Sequence, residues 1–172
     1  MKIIENKLEN ISEEQENFIR FVKSNEFAWF FQEGTGQSYN VHAHALMKRN
    51  PINEQEHGIQ NSANYIWAYS LFEKFCNDND VVINKVYRAA FNSTGSGDGS
   101  SGIHSDHNFH HKVFILYLND CSGSTNIYDS NHVLLKKIKP EKYKGIIFDN
   151  LPHNNEPCAV GERRLVMVFT FN

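Results

Sequence analysis

The sequence has little of what marks a membrane, secreted or nucleic-acid-binding protein. No apolar run approaches the length of a membrane span, and the opening residues 1–7 are too polar for a signal peptide. Three widely spaced cysteines (Cys76, Cys121 and Cys158) are too few for a disulfide framework and are expected to be reduced thiols of a cytoplasmic protein. The 17 basic and 20 acidic residues give a formal net charge of -3, so nucleic acid is not an expected partner.

Apolar residues, in contrast, make up 40% of the 172 residues and include 13 Phe and 7 Tyr. This content is sufficient for one domain with a sizeable core. The N-terminal part, about residues 1–80, is expected to be a helical support. Helices are predicted at residues 12–24, where Ser12 and Gln15 form a capping box, and at residues 63–76. Between them we predict a strand at 27–31, a loop at 32–37 and an extended segment at 39–47.

The remaining part, about residues 81–172, is expected to form a β core. Strands are predicted at residues 81–91, 112–119, 125–128, 132–138, 145–149 and 163–171. Their short spacing is typical of an all-β sandwich or barrel, and no domain boundary is evident, so we predict a single domain over 1–172. Residues 93–102 are rich in Gly and Ser and are predicted to be a flexible loop, which either closes over a substrate or stays at the surface.

Two histidines and one aspartate suggest a metal site. His104 and Asp106 are two residues apart, so on an extended segment both side chains point to the same face. His153 follows a predicted apolar strand and a turn. Such a set can hold a ferrous ion on one side and leave the opposite coordination positions open. A single His-x-Asp pair is common by chance, and the alternative is a polar strand end without a metal.

Arg163 begins the last predicted strand, ten residues after His153. A charge at the mouth of an apolar strand needs a partner, so Arg163 is a candidate for binding the carboxylate of a ligand. A salt bridge to an acidic residue of the protein is the alternative. Arg164 replaces Arg163 in this role if the strand phase differs by one residue, because a one-residue slip exchanges the two faces.

The order His-x-Asp, distant His and Gly-x-Arg resembles the Fe(II)- and 2-oxoglutarate-dependent dioxygenases. The pattern is most similar to their small prolyl-hydroxylase-like members from bacteria and phages. Residues 114–120 resemble the strand that follows the metal motif in this family, and residues 145–149 resemble the strand that leads to the distal histidine. The segment Trp29-Phe30-Phe31 resembles an N-terminal element of the phage proteins. The resemblance covers mainly residues 83–171.

This resemblance implies a double-stranded β-helix, a jelly-roll fold like that of the cupins, with flanking N-terminal helices. It implies Fe(II) bound by His104, Asp106 and His153, and 2-oxoglutarate bound through its C5 carboxylate by Arg163. Many relatives have Ser or Thr two residues after that arginine, where this chain has Leu165. With O2 as the oxidant, the implied reaction releases succinate and CO2 and hydroxylates a substrate.

Further contacts are open at this stage. Tyr117 is either a second 2-oxoglutarate contact or an ordinary core tyrosine. Arg88, Asn92 and Tyr87 could face the substrate or the cosubstrate. By analogy the substrate is a prolyl or other peptidyl residue of a peptide or protein, or a small molecule.

Competing interpretations use the same residues. His107, His110 and His111 could form a surface zinc site with His104, although a loop beside the iron is favoured. A nucleic-acid demethylating oxygenase is disfavoured because the two arginines are adjacent and the net charge is negative. A non-enzymatic, cupin-like barrel that binds a metal or ligand is the main alternative, and a structural protein with an incidental triad is another.

Overall fold

The first helix begins at the capping box that the sequence predicts. The computed structural model describes residues 3–33 and 39–172, and in it α1 spans Glu13–Val22. The hydroxyl of Ser12 accepts a hydrogen bond from the Gln15 backbone N–H (3.2 Å), and the Gln15 side chain accepts one from the Ser12 N–H (3.0 Å). These two bonds satisfy donors that a helix N-terminus otherwise leaves free. The second helix, α2, spans Tyr65–Asp78.

Most of the other elements are β-strands. In chain order they are β1 (Ile3–Lys7), β2 (Phe30–Glu33), β3 (Asn40–Lys48), β4 (Ile59–Gln60), β5 (Val86–Gly95), β6 (Lys112–Tyr117), β7 (Thr125–Tyr128), β8 (Leu134–Ile138), β9 (Lys144–Asp149), β10 (His153–Asn155) and β11 (Arg163–Phe171). The predicted fold class, mainly β with two N-terminal helices, is confirmed.

The strands form two antiparallel sheets. The larger sheet has the strand order β1-β9-β6-β11-β5-β3-β2, with β4 added beside β3, and the smaller sheet has the order β10-β7-β8. Residues from both sheets share one apolar cluster, so the sheets pack face to face as a sandwich of the jelly-roll type.

The central strands of the larger sheet are buried on both faces, and β11 illustrates how their residues divide. Leu165, Met167 and Phe169 belong to the cluster that includes the helices, and Phe169 stacks on Phe72 of α2 with ring centroids 4.4 Å apart. Val166 and Val168, which alternate with them, belong to the cluster between the sheets. Side chains in the phase of Val166 therefore reach the space between the sheets.

Several sequence predictions need correction. The strand β1 was not predicted, and the strand expected at 27–31 begins at Phe30 and ends at Glu33. The loop predicted over 32–37 is strand at Gln32 and Glu33, and its remainder lies outside the described residues. The flexible loop predicted over 93–102 is also wrong in part, because β5 continues to Gly95 and Ser96–Asp98 form a 3-10 turn. No helix in the described ranges is long and apolar enough to cross a membrane.

Candidate metal centre and adjoining cavity

Backbone pairing brings the predicted metal ligands together. His104 and His153 form an isolated antiparallel bridge in which each N–H donates to the carbonyl of the other, at 3.0 and 2.9 Å. Asp106 lies beside them, and one ligand atom from each of the three side chains falls within 4.8 Å of the others. The described residues contain no further group of three such ligands at this spacing.

Hydrogen bonds orient both imidazole rings. Nδ1 of His104 lies 2.8 Å from the carbonyl oxygen of Gly102, and Nδ1 of His153 lies 3.1 Å from that of Leu151. Because a carbonyl only accepts, Nδ1 of each ring is a donor, which leaves Nε2 as the nitrogen available to a metal ion in the neutral ring. A neutral imidazole held in this way is the form that binds a metal ion.

The charge state of Asp106 also suits a metal ligand. Burial alone would raise the pKa of this carboxyl group, but attraction by His153, Arg88 and His104 outweighs burial, so the pKa lies below its ordinary value. One carboxylate oxygen lies 3.6 Å from Nε2 of His153, and the other lies 3.4 Å from a guanidinium nitrogen of Arg88. Burial lowers the pKa of His153, which favours its neutral form. The three residues fit a ferrous ion bound by two imidazoles and one carboxylate.

A cavity of about 150 Å³ adjoins the three ligands. Arg164, Asn92 and Asn155 line it together with the ligands. Nε of Arg164 and Nδ2 of Asn155 are buried and have no hydrogen-bond partner among the described residues. Buried donors without a partner are costly, so the cavity suits a ligand with acceptor oxygens.

The two arginines of β11 lie on opposite faces of the strand. Arg164 is in phase with Val166, is buried, and donates from Nη2 to the hydroxyl oxygen of Thr125 at 2.8 Å. Arg163 is exposed and donates from Nη1 to Ser93 at 3.0 Å. The predicted phase is therefore off by one residue: Arg164 lines the cavity, and Arg163 does not.

Tyr117 is fully buried next to Arg164. Its hydroxyl donates to Thr125 Oγ1 at 2.7 Å, and its ring lies 5.6 Å from the guanidinium carbon of Arg164. Burial raises the pKa of Tyr117, although Arg164 offsets part of this effect, so the phenol stays protonated. Tyr117 does not itself line the cavity, but it supports two residues that do.

Of the three residues predicted to face the substrate or cosubstrate, two line the cavity and one does not. Arg88 and Asn92 are four residues apart on β5, so they lie on the same face of the strand, and both line the cavity. Tyr87 lies on the other face, where its ring contacts His107 and Phe109, and it does not line the cavity.

The histidine tract does not assemble as a metal site in the described part of the chain. His107 and His111 are buried with their rings 4.8 Å apart, whereas His110 is exposed. Nε2 of His107 lies 2.9 Å from the Thr170 hydroxyl, and Nδ1 of His111 lies 2.8 Å from the Phe109 carbonyl oxygen. These bonds indicate packing beside the metal centre.

Sequence reasoning missed several residues of the cavity. Tyr39 lines it, and burial raises the pKa of this phenol. Thr125, Asn155 and Ser101 also line it, from β7, β10 and the segment before His104. Their residue types are common in turns, and no spacing pattern connects them along the chain. Only the two polar residues directly after His153 could have been suspected, from their position beside a metal ligand.

Comparisons with known proteins support the fold. No protein-family model matches the chain, and no curated protein matches it. Similar solved structures include an oxidoreductase of the 2OG-Fe(II) oxygenase family from Burkholderia pseudomallei, with a TM-score of 0.66 and 10% identity over 92% of this chain and 90% of that chain. A prolyl-4-hydroxylase from Pseudomonas putida has a TM-score of 0.64 and 13% identity over 99% and 92%.

A third similar structure is a prolyl hydroxylase from Trichoplax adhaerens, described in complex with a peptide fragment of hypoxia inducible factor. Its TM-score is 0.61, with 16% identity over 98% of this chain and 82% of that chain. At these identities the likeness concerns the fold, which extends over nearly the whole length of the proteins compared. The chain therefore has the fold of the 2-oxoglutarate- and Fe(II)-dependent oxygenases.

Proposed function

We propose that the protein is an Fe(II)- and 2-oxoglutarate-dependent dioxygenase that hydroxylates its substrate. We also propose that its two sheets form a double-stranded β-helix within one domain over residues 1–172. The observation that carries the proposal is the position of His104, Asp106 and His153 beside a cavity lined by the buried, incompletely hydrogen-bonded Arg164. Burial of a charged side chain without full hydrogen bonding is costly, so Arg164 beside these three residues favours a ligand-binding site over a structural role.

Each ligand has a defined task. His104 and His153 would bind Fe(II) through Nε2, because their Nδ1 atoms are held by backbone carbonyls. Asp106 would supply the anionic ligand, and Arg88 limits its rotation by contacting the other oxygen. When bound, Fe(II) supplies the redox chemistry that consumes O2 and 2-oxoglutarate and releases succinate and CO2.

Arg164, in place of Arg163, is proposed to bind the C5 carboxylate of 2-oxoglutarate. Its Nε has no partner, while Nη2 is held by Thr125, so the guanidinium is fixed with one donor free. The Thr125 oxygen accepts from both Arg164 and Tyr117. The hydrogen of the Thr125 hydroxyl is then free to donate to the same carboxylate. Tyr117 is a positioning residue in this scheme.

Arg88 and Asn92, which line the cavity beside Asp106, are proposed to face the substrate or the 2-oxoglutarate. A prolyl or other peptidyl residue is one candidate class, and a small molecule is another. The candidate peptide class is supported by likeness in fold to two prolyl hydroxylases, of which the Trichoplax adhaerens protein is described with a bound peptide fragment.

Anaerobic titration with Fe(II) and then 2-oxoglutarate tests the proposal. We expect a weak visible metal-to-ligand charge-transfer band, because 2-oxoglutarate would chelate the iron at the positions that the protein leaves open. Asp106→Asn keeps the size of the side chain but removes the anionic ligand, so the band should be lost. His110→Ala, at an exposed histidine in the same region, is the matched control and should keep it.

Two results would contradict the proposal. Iron binding without a band on addition of 2-oxoglutarate would favour the non-enzymatic, cupin-like alternative. An unchanged band in Asp106→Asn would show that the proposed set of three metal ligands is wrong.

A further inference from the structure

An outer groove lies next to the cavity and shares two of the three candidate metal ligands, His104 and Asp106, with it. The groove has a volume of about 440 Å³, and its lining includes His104 and Asp106 as well as three basic residues, Lys48, Arg49 and Arg88. A metal ion held by these ligands would therefore lie at the boundary between the cavity and the groove. If 2-oxoglutarate occupies the cavity, the groove is the space left for the substrate.

The charges that line the groove are unbalanced. Asp106 is the only acidic residue among the described residues that line it, and Arg88 already pairs with this carboxylate at 3.4 Å. Arg49 donates from Nη2 to the Asp106 backbone carbonyl at 2.6 Å, which fixes the guanidinium near the metal centre without neutralising it. Lys48 has no ion pair within the described ranges. Two cations in a recess without anionic partners attract an anion.

Between the charged residues the lining is uncharged, with Gln32 and Ser105 as its polar members and with Met47 and three alanines as its apolar members. Ala43, Ala45 and Ala90 come from the adjacent strands β3 and β5 and share the groove with the cations. Beyond Lys48, a second recess of about 360 Å³ shares Ala43 and Ala45 and includes Phe30, whose side chain is 61% exposed. An apolar body can therefore lie on the alanines while its charged group meets Lys48 and Arg49.

We propose that the substrate is an apolar compound or side chain carrying a carboxylate or phosphate group, and that Lys48 and Arg49 bind this group in the outer groove. This inference rests on the proposed function for the identity of the groove as a substrate site. The anion would fix the distance between the charged group and the C–H bond presented to the metal. Arg88 does not bind the anion in this scheme, because its guanidinium is paired with the Asp106 carboxylate.

Binding of small aromatic probes tests the inference. Benzoate and phenyl phosphate carry an anion on an apolar ring, and benzamide is the neutral counterpart. The methyl signals of Ala43, Ala45 and Ala90 report the groove in a carbon-13 methyl NMR titration of the purified protein without added metal. We expect saturable shifts with at least one anion, and roughly tenfold weaker binding of benzamide. The tighter of the two anions identifies the group as carboxylate or phosphate.

Variants make the test specific. Lys48→Gln should weaken binding of the anion roughly tenfold. Lys23→Gln, at an exposed lysine at the C-terminal end of α1, should leave it unchanged. Equal binding of benzoate and benzamide, or unchanged binding in Lys48→Gln, would overturn the inference. Shifts confined to Val166 and Val168, which line the inner cavity, would do the same.

The two proposals fail separately. Because the probe titration needs no metal, anion binding in the groove without a charge-transfer band would reject the oxygenase and retain the anion site. A charge-transfer band without anion binding in the groove would retain the oxygenase and reject the substrate class.

Discussion

Arg163 and Arg164 are neighbours along the chain, yet only Arg164 reaches the space between the sheets. Which arginine faces the cavity depends on which residues of β11 point to each face of the sheet. The sequence of β11 does not show this. Val166, Met167, Val168 and Phe169 are apolar without alternation, because both faces of the strand are buried. A strand with one solvated face would have shown which arginine points inward.

Arg164→Ala should weaken 2-oxoglutarate binding to the Fe(II)-loaded protein by about 30-fold or more, since removing one member of a buried charge pair costs about 2 kcal/mol or more. Arg163→Ala is the matched control and should change the dissociation constant less than about twofold, because the exposed Arg163 bonds to Ser93 and does not line the cavity. The charge-transfer band measures both constants.

Loss of Arg164 could also disturb Thr125 and Tyr117, so Arg164→Lys serves as a second variant that keeps the charge. Partial recovery of binding in Arg164→Lys would support a direct contact with the carboxylate. Tight binding in Arg164→Ala together with weak binding in Arg163→Ala would reverse the assignment.

The three candidate metal ligands are the part of the site that the sequence predicted most directly, and the structure places one ligand atom of each within 4.8 Å of the others. A spacing of two between His104 and Asp106 has a local geometric meaning, and His153 followed a recognisable strand. Tyr39 and Thr125 could not be predicted in the same way. They reach the cavity only because distant strands pair, and pairing is a property of the whole chain.

At the level of elements, the contact between β9 and α2 leaves no room for a side chain at Gly145. A Cβ atom there would lie 2.7 Å from Cδ2 and Cζ of Phe75 and closer still to Cε2. The Phe75 ring is fully buried among other core residues, so it has little freedom to move away.

Gly145→Ala should lower the free energy of unfolding by about 1–3 kcal/mol, the usual cost of an overpacked core. Gly97→Ala is the control, because a Cβ there meets no atom within 4 Å, and it should change stability by less than about 0.5 kcal/mol. Urea unfolding followed by circular dichroism compares the two. Equal stability of the two variants would show that the helix can shift away from the sheet.

Two errors in predicting elements have the same cause. Residues 93–95 are rich in Ser, Thr and Gly, yet they continue β5 because β11 pairs with them and β3 reaches Ser93. The strand β1 contains polar Glu5 and Asn6, yet it extends the sheet beside β9. In both places neighbouring strands outweigh the local preferences of the residues. The helix α1 was predicted correctly because its capping box is a local signal.

For the molecule as a whole, three buried histidines link stability to pH. Burial lowers the pKa of His107 to about 4 and lowers the pKa of His111 and His153 below their ordinary value of 6.5. Below pH 6.5 the unfolded chain therefore binds protons that the folded protein does not. Under these conditions the free energy of unfolding decreases as pH falls.

We expect metal-free protein to lose stability steadily between pH 6.5 and pH 4, with each histidine contributing at most about 1.4 kcal/mol per pH unit. Urea unfolding at pH 7.5, 6.0 and 5.0 measures the slope. His107→Gln should reduce it, because glutamine can still bond to Thr170 but does not titrate. His132→Gln, at an exposed turn, should not. A free energy of unfolding that stays constant from pH 7.5 to 5.0 would contradict this account.

The paired backbones of His104 and His153 have a consequence for metal binding at the proposed site. The two imidazoles are held in place by main-chain hydrogen bonds and by the carbonyls of Gly102 and Leu151. We infer that these bonds preorganise the site for a divalent metal ion. If the proposed metal site is correct, a divalent metal would bind without refolding, and a preparation treated with a chelator should regain its divalent metal on simple remixing.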